Sequence, residues 1–379
     1  MRLLVSGGGT GGHVYPILAV LQHLDDAGAP STEICYVGNA SGIEAKLAAR
    51  AGLPFEGIST ASFHGASPWT VPRRLVGLAR GTAQCLALMG DFRPQAVFAT
   101  GGYVCAPAIL AGWISRVPSL IYLPDLTPGW AVKLLGRLAT RVAVSVDSSI
   151  DSFPPRKAVV TGYPVRRELF GTDKAACRRR LDLKEDQKTL LVLGGSQGAH
   201  TINLAVSRIL EELLGLCQMV HLSGEQDFPW LLSRRDELPA ALSQRYRVYP
   251  YLHEEMIFAL GAADLAVARA GAATVGELPA LGLPGILIPY PHAGRHQDLN
   301  AQYMVENQAA VKIDDHRLEN GVLRQTILGL LKDDDRLAAL AQGARRLARP
   351  DAASSVARLL HEISTAKRQS RAEGHGPTL

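Results

Sequence analysis

Cysteine is scarce in this 379-residue chain, with five residues standing singly at Cys35, Cys85, Cys105, Cys177 and Cys217. Their number is odd and no two form a C-x-x-C pair. That excludes a disulfide framework and points to reduced, mostly buried thiols of a cytosolic protein. Zinc-ligand spacing is missing. Aromatic residues make up 6% of the chain, without the aromatic-rich signature of an RNA-binding sheet, so nucleic acid is not an expected partner. The start, "MRLLVS", lacks the basic stretch and cleavage site of a secretory signal. One uncharged run, residues 96–115, has the length of a membrane span. Its internal Gly-Gly and Pro107 divide it instead into a buried strand, a tight loop and a buried helix.

What is present describes an ordinary globular chain: 47% hydrophobic and 20% charged residues, at a length that favours two cores. The net charge of +5 fits an acidic partner, a phosphorylated small molecule or an anionic membrane, as well as a merely basic surface. Short β-rich runs alternate with helical patterns, as "RLLVS", "EICYVG", "AVFAT", "SLIYL" and "RVAVS" show, which is the pattern of βαβ units and a parallel sheet. The charged stretch "DKAACRRRLDLKEDQ" reads as an exposed linker. After it the pattern restarts at "KTLLVLGGSQGAHTINLAVSRIL" with a strand, a glycine turn and a helix. A last amphipathic helix lies in "RPDAASSVARLLHEISTAK", and the polar end reads as flexible.

Three glycine-rich loops carry the chemistry. Gly7, Gly9 and Gly12 match G-x-G-x-x-G between a strand and a helix, where glycines let backbone amides approach a phosphate. A nicotinamide-binding domain also needs an acid at the end of the second strand, but "CYVGNASG" ends in Gly38 and Asn39. Tight strand-to-helix packing is the plainer reading of these glycines. The second loop, Gly194 to Ala199, fits the G-x-S-x-G nucleophile elbow with Ser196 at its centre only given a later acid and His292 or His361; more simply, a serine in a glycine turn at a helix start donates its hydroxyl and amide to a phosphate. In the third, Gly271 and the amides of Ala272 to Thr274 open another helix, with Glu277 placed to reach a ribose diol or to complement the helix dipole. Gln297 and Asn300 then offer side chains suited to sugar hydroxyls.

In their order and spacing, "GGGTGGHVYP", "GGYVCAP", "GYPVR", "LGGSQGA" and "RAGAATVGE…GLP…RHQDLNA" resemble the MurG family of bacterial peptidoglycan glycosyltransferases, glycosyltransferase family 28, over about residues 1–360. The resemblance implies an α/β fold of the GT-B type, two Rossmann-like domains facing across a cleft, with the C-terminal helix returning to the first domain. The expected division is 1–162 for the acceptor and membrane side and 163–345 for the UDP-sugar side, then 346–365 for the returning helix and 366–379 for a flexible tail. The implied activity is transfer of N-acetylglucosamine from UDP-N-acetylglucosamine to undecaprenyl-diphospho-N-acetylmuramoyl pentapeptide, lipid I, giving lipid II. Residue by residue it puts Thr10, Gly11 and Gly12 near the donor. Around the nucleotide sugar it puts Arg166, Ser196, the backbone at His253, then Ala272, Ala273, Thr274, Val275, Gly276 and Glu277, and Gln297. Ser196 and Thr274 would sit near the diphosphate, Glu277 on the ribose and Gln297 near the sugar. The chain departs from the family where "YLPD" replaces His-Glu-Gln-Asn, so that Asp125 stands for a sugar-contacting asparagine, and where His296-Gln297 replaces a Gln-Gln pair.

His13 is the expected general base, an imidazole that titrates near neutral pH presented on a glycine loop; the alternative is a histidine that caps its helix. Loop amides, helix starts and Arg166 would meet the charge of departing UDP, with no cofactor and no obligatory divalent cation. Direct attack by one hydroxyl predicts inversion. Residues 62–81, with Trp69, Leu75, Leu78, Arg73, Arg74 and Arg80, suit either a surface segment on anionic lipid or a half-buried helix. The expected location is peripheral, on the cytoplasmic face of the cell membrane. A GT-B transferase with another acceptor, a UDP-sugar epimerase and a non-catalytic nucleotide-sugar binder are the competing functions.

Overall fold

A computed structural model describes residues 1–29, 31–61, 68–291 and 295–373. Two compact units make up the chain: Met1–Arg166 together with the segment from Asp351 onward, and Arg167–Pro350. Each is built on one parallel sheet.

In the first unit the strands are β1 (Arg2–Ser6), β2 (Glu33–Gly38), β3 (Phe55–Gly57), β4 (Ala96–Ala99), β5 (Ser119–Leu123), β6 (Arg141–Val144) and β7 (Ala158–Val160). They lie in the order β3-β2-β1-β4-β5-β6-β7. The second unit holds β8 (Thr189–Leu193), β9 (Gln218–Leu222), β10 (Tyr246–Tyr249), β11 (Leu265–Ala268), β12 (Gly285–Leu287) and β13 (Ala310–Lys312), ordered β10-β9-β8-β11-β12-β13. Both sheets share the doubly wound arrangement, whose order reverses beside the first strand of the unit; ligands of such sheets bind at the carboxyl ends of the strands there. Loops 7–10 and 100–102 meet at that point in the first unit, and the loops that leave the neighbouring strands β8 and β11 start there in the second.

The strands read as nearly unbroken apolar runs because helices cover both faces. Leu3, Leu4 and Val5 of β1 and Leu190, Leu191 and Val192 of β8 are fully buried. The stretch long enough to span a bilayer resolves into β4, a 3-10 turn at Tyr103–Cys105 and the helix Ala106–Ile114. Among the described residues no helix is long and apolar enough to cross a membrane.

The last helix, Ala352–Glu373, belongs to the first unit and packs on the helix Gly11–Leu21 and on β4 and β5. Its buried Ala352, Ala353, Val356, Ala357 and Leu360 recur at helical spacing on one face. Covering Val356 and Leu360 contributes about 1.5–3 kcal/mol each. The helix continues past position 365 through Glu373, where a flexible tail is expected from polarity; Ala, Lys, Arg, Gln and Glu in that stretch are good helix formers. Residues 374–379 lie outside the described residues.

The unit boundaries fall after Arg166 and after Pro350, not after 162 and 345. Residues 163–166 go with the first unit because Tyr163 is buried there, its hydroxyl donating to the Gly12 carbonyl at 3.3 Å and its ring lying edge-on to Tyr122. The stretch 173–187 is no linker. It forms the helix Lys174–Arg180, which packs on the helix Met256–Ala262. Arg178 is buried there, donating to Asp264 Oδ2 at 2.5 Å and to the Ala262 carbonyl at 3.2 Å, and Asp264 also takes Lys174 Nζ at 2.7 Å. A charge-rich stretch can bury once a carboxylate and carbonyls satisfy its guanidinium.

Candidate active site

The first glycine loop runs from β1 into the helix Gly11–Leu21, so Gly11, Gly12 and His13 form its first turn. Thr10 is the N-cap residue, in extended conformation, and its hydroxyl pairs with His13 Nδ1 at 3.1 Å instead of capping the helix. Thr100 Oγ1 donates to the His13 carbonyl. The His13 ring lies against Gly101, where an added β-carbon would stand 3.4 Å from Nε2; φ at Gly101 is +93°. Burial lowers the pKa of His13 from the ordinary imidazole value, opposed first by the charge of Asp125 and then by that of Glu44. The ring thus stays neutral and able to accept a proton at neutral pH, with Asp125 electrostatically linked to it.

Glu44 is the residue that sequence reasoning missed. It stands in the first turn of the helix Ile43–Arg50, 1% exposed. Its Oε2 accepts the Gly9 N–H at 3.1 Å and its Oε1 the Asn39 N–H at 3.0 Å. A β-carbon at Gly8 or Gly42 would overlap the carboxylate, and one at Gly38 would stand 2.8 Å from Glu44 Cγ. The acid absent from the end of β2 is therefore present six residues after Gly38, turned under the loop where it satisfies an amide. The signal lay in the glycines at 38 and 42 that bracket it in space.

Arg166 ends the first unit, its guanidinium 5.6 Å from the centroid of the Tyr15 ring. Its Nε is buried without a hydrogen-bond partner among the described residues, a costly state that calls for an acceptor.

In the second unit, Ser196 occupies a turn between β8 and the helix His200–Ser207. Gly198, at φ +79°, crosses the Ser223 carbonyl so closely that any β-carbon would overlap it. Of the histidines that the nucleophile-elbow reading of Ser196 would need, His361 lies in the helix Ala352–Glu373, where a β-carbon at Gly28 would stand 3.8 Å from its Nε2, and His292 lies outside the described residues.

Gly271 is the N-cap of the helix Ala272–Leu281 and supplies no side-chain cap; the Thr274 amide donates to the Gly271 carbonyl at 3.0 Å, while the amides of Ala272 and Ala273 meet no side chain among the described residues. The Thr274 hydroxyl is turned inward and donates to the Arg269 carbonyl at 2.9 Å. Val275 and Gly276 are buried, and Glu277 is half-buried one turn further on. Arg269, 9% exposed, holds this loop in place. Its guanidinium donates to the carbonyls of Ile288 and Pro289, to Thr201 Oγ1 and to Asp315, and lies 5.3 Å from the Tyr290 ring centroid. Asn300, expected on a sugar, is instead fully buried and donates to the Ala270 carbonyl at 3.0 Å. It fastens the loop. Gln297 accepts the Tyr290 N–H on Oε1 at 2.9 Å, which leaves its amide NH₂ to point elsewhere. His253 is exposed, its ring edge-on to Tyr251 at 4.6 Å.

Thr10, Gly11, Gly12, His13, Asp125 and Arg166 thus belong to the first unit, and Ser196, His253, residues 272–277 and Gln297 to the second. Among the described residues no group of three or more His, Cys, Asp or Glu could hold a metal ion.

Residues 3–144 match the glycosyltransferase family 28 N-terminal domain, and residues 189–356 match its C-terminal domain. A relative from Roseiflexus sp. (strain RS-1), a UDP-N-acetylglucosamine--N-acetylmuramyl-(pentapeptide) pyrophosphoryl-undecaprenol N-acetylglucosamine transferase, is 42% identical over 96% of this chain and 95% of its own. One of the same name from Moorella thermoacetica is 38% identical over 95% and 98%. The crystal structure of Acinetobacter baumannii MurG aligns with a TM-score of 0.71 at 26% identity, covering 95% of this chain and 99% of that one. A UDP-GlcNAc 2-epimerase from Neisseria meningitidis shares the fold alone, with a TM-score of 0.66 at 13% identity over 96% of this chain and 100% of the epimerase. The dinucleotide reading of Gly7, Gly9 and Gly12 gives way to these matches, and the chain belongs to glycosyltransferase family 28, with the GT-B architecture and MurG-type N-acetylglucosamine transferases as its kin.

Proposed function

We propose that this protein transfers N-acetylglucosamine from UDP-N-acetylglucosamine to undecaprenyl-diphospho-N-acetylmuramoyl pentapeptide, lipid I, and so makes lipid II. The observation that carries the reading is the match to transferases of that name through both units, at 42% identity over 96% of the chain. The geometry divides the work. The second unit supplies the amides of Ala272 and Ala273 at a helix start and the turn at Ser196, suited to a diphosphate. Glu277 follows on the same helix to take the ribose hydroxyls, and Gln297 meets the sugar through its NH₂ group. The first unit supplies the base.

As base, His13 carries its proton on Nδ1, donated to Thr10 Oγ1, and accepts the acceptor hydroxyl's proton on Nε2. The oxygen so freed bonds to the anomeric carbon while the bond from that carbon to the diphosphate oxygen breaks, and UDP leaves with the electron pair. One direct displacement inverts the configuration. Loop amides and Arg166 meet the departing charge, so a divalent cation is not obligatory and no cofactor takes part.

The acceptor is a lipid, and the first unit has a face for it. Trp69, Leu75 and Val76 on and before the helix Val71–Asp91, Trp113 and Ile114 at the end of the helix Ala106–Ile114, and Trp130 and Leu134 on the helix Trp130–Leu138 are all exposed. These three helices pack in a row, and Arg73, Arg80, Arg116, Lys133 and Arg137 are exposed among the apolar residues. Aromatic rings with flanking cations suit an anionic membrane surface, which supports a peripheral location; the cytoplasmic side belongs to the same reading of the acceptor. The segment 62–67, expected to share this role, lies outside the described residues.

Incubating the protein with UDP-N-acetylglucosamine and a lipid I analogue tests the reading: UDP and disaccharide-lipid should appear in equal amounts, the latter with an inverted anomeric centre. UDP release with no disaccharide-lipid, or epimerised sugar without acceptor, overturns it.

A further inference from the structure

The family motifs leave one cluster of titratable groups unused, at the carboxyl edge of the second sheet. His200 is the first residue of the helix that follows the Gly194–Ala199 loop. Its Nδ1 lies 2.8 and 3.0 Å from the two oxygens of Asp227, so the ring donates Nδ1–H to the carboxylate. Asp227 is buried while the His200 side chain is 65% exposed, which turns the opposite edge of the ring, with Nε2, outward.

Everything behind Asp227 holds it in place. Asn203 Nδ2 donates to it at 2.7 Å and Trp230 Nε1 at 2.9 Å. Asn203 Oδ1 can only accept, so His221 donates Nε2–H to it at 2.9 Å and accepts the Tyr246 hydroxyl on Nδ1, also at 2.9 Å. His221 is fully buried, and burial pushes its pKa down to about 3, so this neutral arrangement persists across the physiological range. Burial pushes the Asp227 carboxyl up, but hydrogen bonds from Trp230, Asn203 and His200 outweigh that and keep it below its ordinary value. Among the described residues, His200 is the one basic side chain within ion-pair distance of Asp227.

The dyad also has a fixed relation to the glycine loop. Gly198 crosses the Ser223 carbonyl, and a β-carbon on Gly224 would overlap the Gln197 carbonyl. The loops after β8 and β9 interlock backbone against backbone, with His200 leaving one and Asp227 leaving the other. A ring so anchored is pre-organised, and pre-organisation lowers the cost of each hydrogen bond it makes to a ligand.

We infer that His200, oriented by Asp227, is a further binding residue for the diphosphate of the nucleotide donor, taking up a proton from solvent with the ligand so that Nδ1–H stays on Asp227 and Nε2–H meets a phosphoryl oxygen. The inference rests on the reading of the Gly194–Ala199 loop as a diphosphate seat. It predicts discrimination between a nucleoside diphosphate and its nucleoside, because only the former carries the anion. Asp227 acts through His200 as a positioning residue.

The test compares UDP with uridine on the full-length protein by titration calorimetry at low salt, with melting temperature measured in parallel. A charge-assisted hydrogen bond predicts that His200→Gln weakens UDP binding about tenfold and leaves uridine binding and the melting temperature unchanged. His200→Arg, which restores a cation, should recover most of the loss, and Asp227→Asn should fall between Gln and wild type in its preference for UDP. An unchanged ratio of UDP to uridine affinity in His200→Gln overturns the inference. So does an equal loss for both ligands, which marks a structural role. Wild-type protein that binds uridine as tightly as UDP removes the diphosphate seat itself, and the inference falls with it.

Discussion

The two units carry the same sheet order and the same glycine turn after their first central strand, yet they use that turn in opposite ways. In the first unit the loop is closed from within: Glu44 accepts the Gly9 amide, and the space left at Gly8, Gly38 and Gly42 is filled by its carboxylate. A negative charge under the loop makes it a poor anion seat and a good mount for a base, since the same loop leads straight into His13. In the second unit no carboxylate of this kind sits under the loop among the described residues, although the helices that follow the two loops, Gly11–Leu21 and His200–Ser207, both open without a side-chain cap, and His200 flanks the turn. One motif gives a general base on one side and a diphosphate seat on the other. The difference is made by residues outside the motif.

What the two loops share is tested by the largest expected effect. Gly102, at φ +77°, would bring a β-carbon to 2.6 Å from the Gly8 carbonyl, and Gly198, at φ +79°, would drive one into the Ser223 carbonyl. Alanine at either position combines left-handed strain with a backbone overlap. Each should cost about 3 kcal/mol or more, read as a lower urea midpoint; a loss under about 1 kcal/mol would mean that the loops are not locked by these crossings.

The Glu44 difference is sharpened by Glu44→Gln. The amide keeps one acceptor oxygen for two N–H donors, and its NH₂ opposes the other donor. The expected loss is about 2 kcal/mol of stability, with UDP affinity unchanged, since that ligand is assigned to the second unit. Loss of UDP affinity in a folded Glu44→Gln protein would break the comparison.

The second unit also carries a pH signature. His221 is fully buried with a pKa near 3, against about 6.5 in an unfolded chain. The unfolded state therefore binds the extra proton first, and the stability due to neutral His221 is complete above about pH 6.5 and is lost as pH falls toward 3. The slope is roughly 1 kcal/mol per pH unit in that window. Urea unfolding at pH 7 and pH 5 should show it, and His221→Gln should remove about one proton's worth of the dependence; an unchanged slope contradicts the assignment.

The smallest effect concerns Asp125. Its charge opposes the lowering of the His13 pKa, so Asp125→Asn should let that pKa fall further. The acid limb of the kcat/KM profile should move to lower pH by less than about one unit. A limb that stays or moves upward would separate Asp125 from the base.

Much of this was legible in the sequence where information is local. The parallel strands, the glycine turns and the open helix start at Ala272 each follow from a few adjacent residues, and the resemblance of the ordered motifs matched the family later shown by comparison. What was hidden depends on distant partners. Residues 173–187 read as a linker because Arg178 needs Asp264, 86 residues away, before it can be buried. Asn300 read as a sugar contact because its bond to the Ala270 carbonyl forms only when two loops meet. Glu44 escaped notice because an acid was sought at the end of β2, whereas the chain uses one in the first turn of the next helix. Arg269 stands inside a quoted motif, but its role as the tie among the loops near Thr201, Ile288 and Asp315 appears only in three dimensions.

The division of labour between the units is tested most directly by His13→Ala, with turnover at saturating substrates and UDP affinity measured on the same folded protein. Removal of a general base from the first unit predicts a fall in kcat of about 100- to 10,000-fold with UDP binding within about twofold of wild type. Near wild-type turnover would show that His13 is not the base, and loss of UDP affinity at unchanged stability would show that His13 holds the donor rather than activating the acceptor.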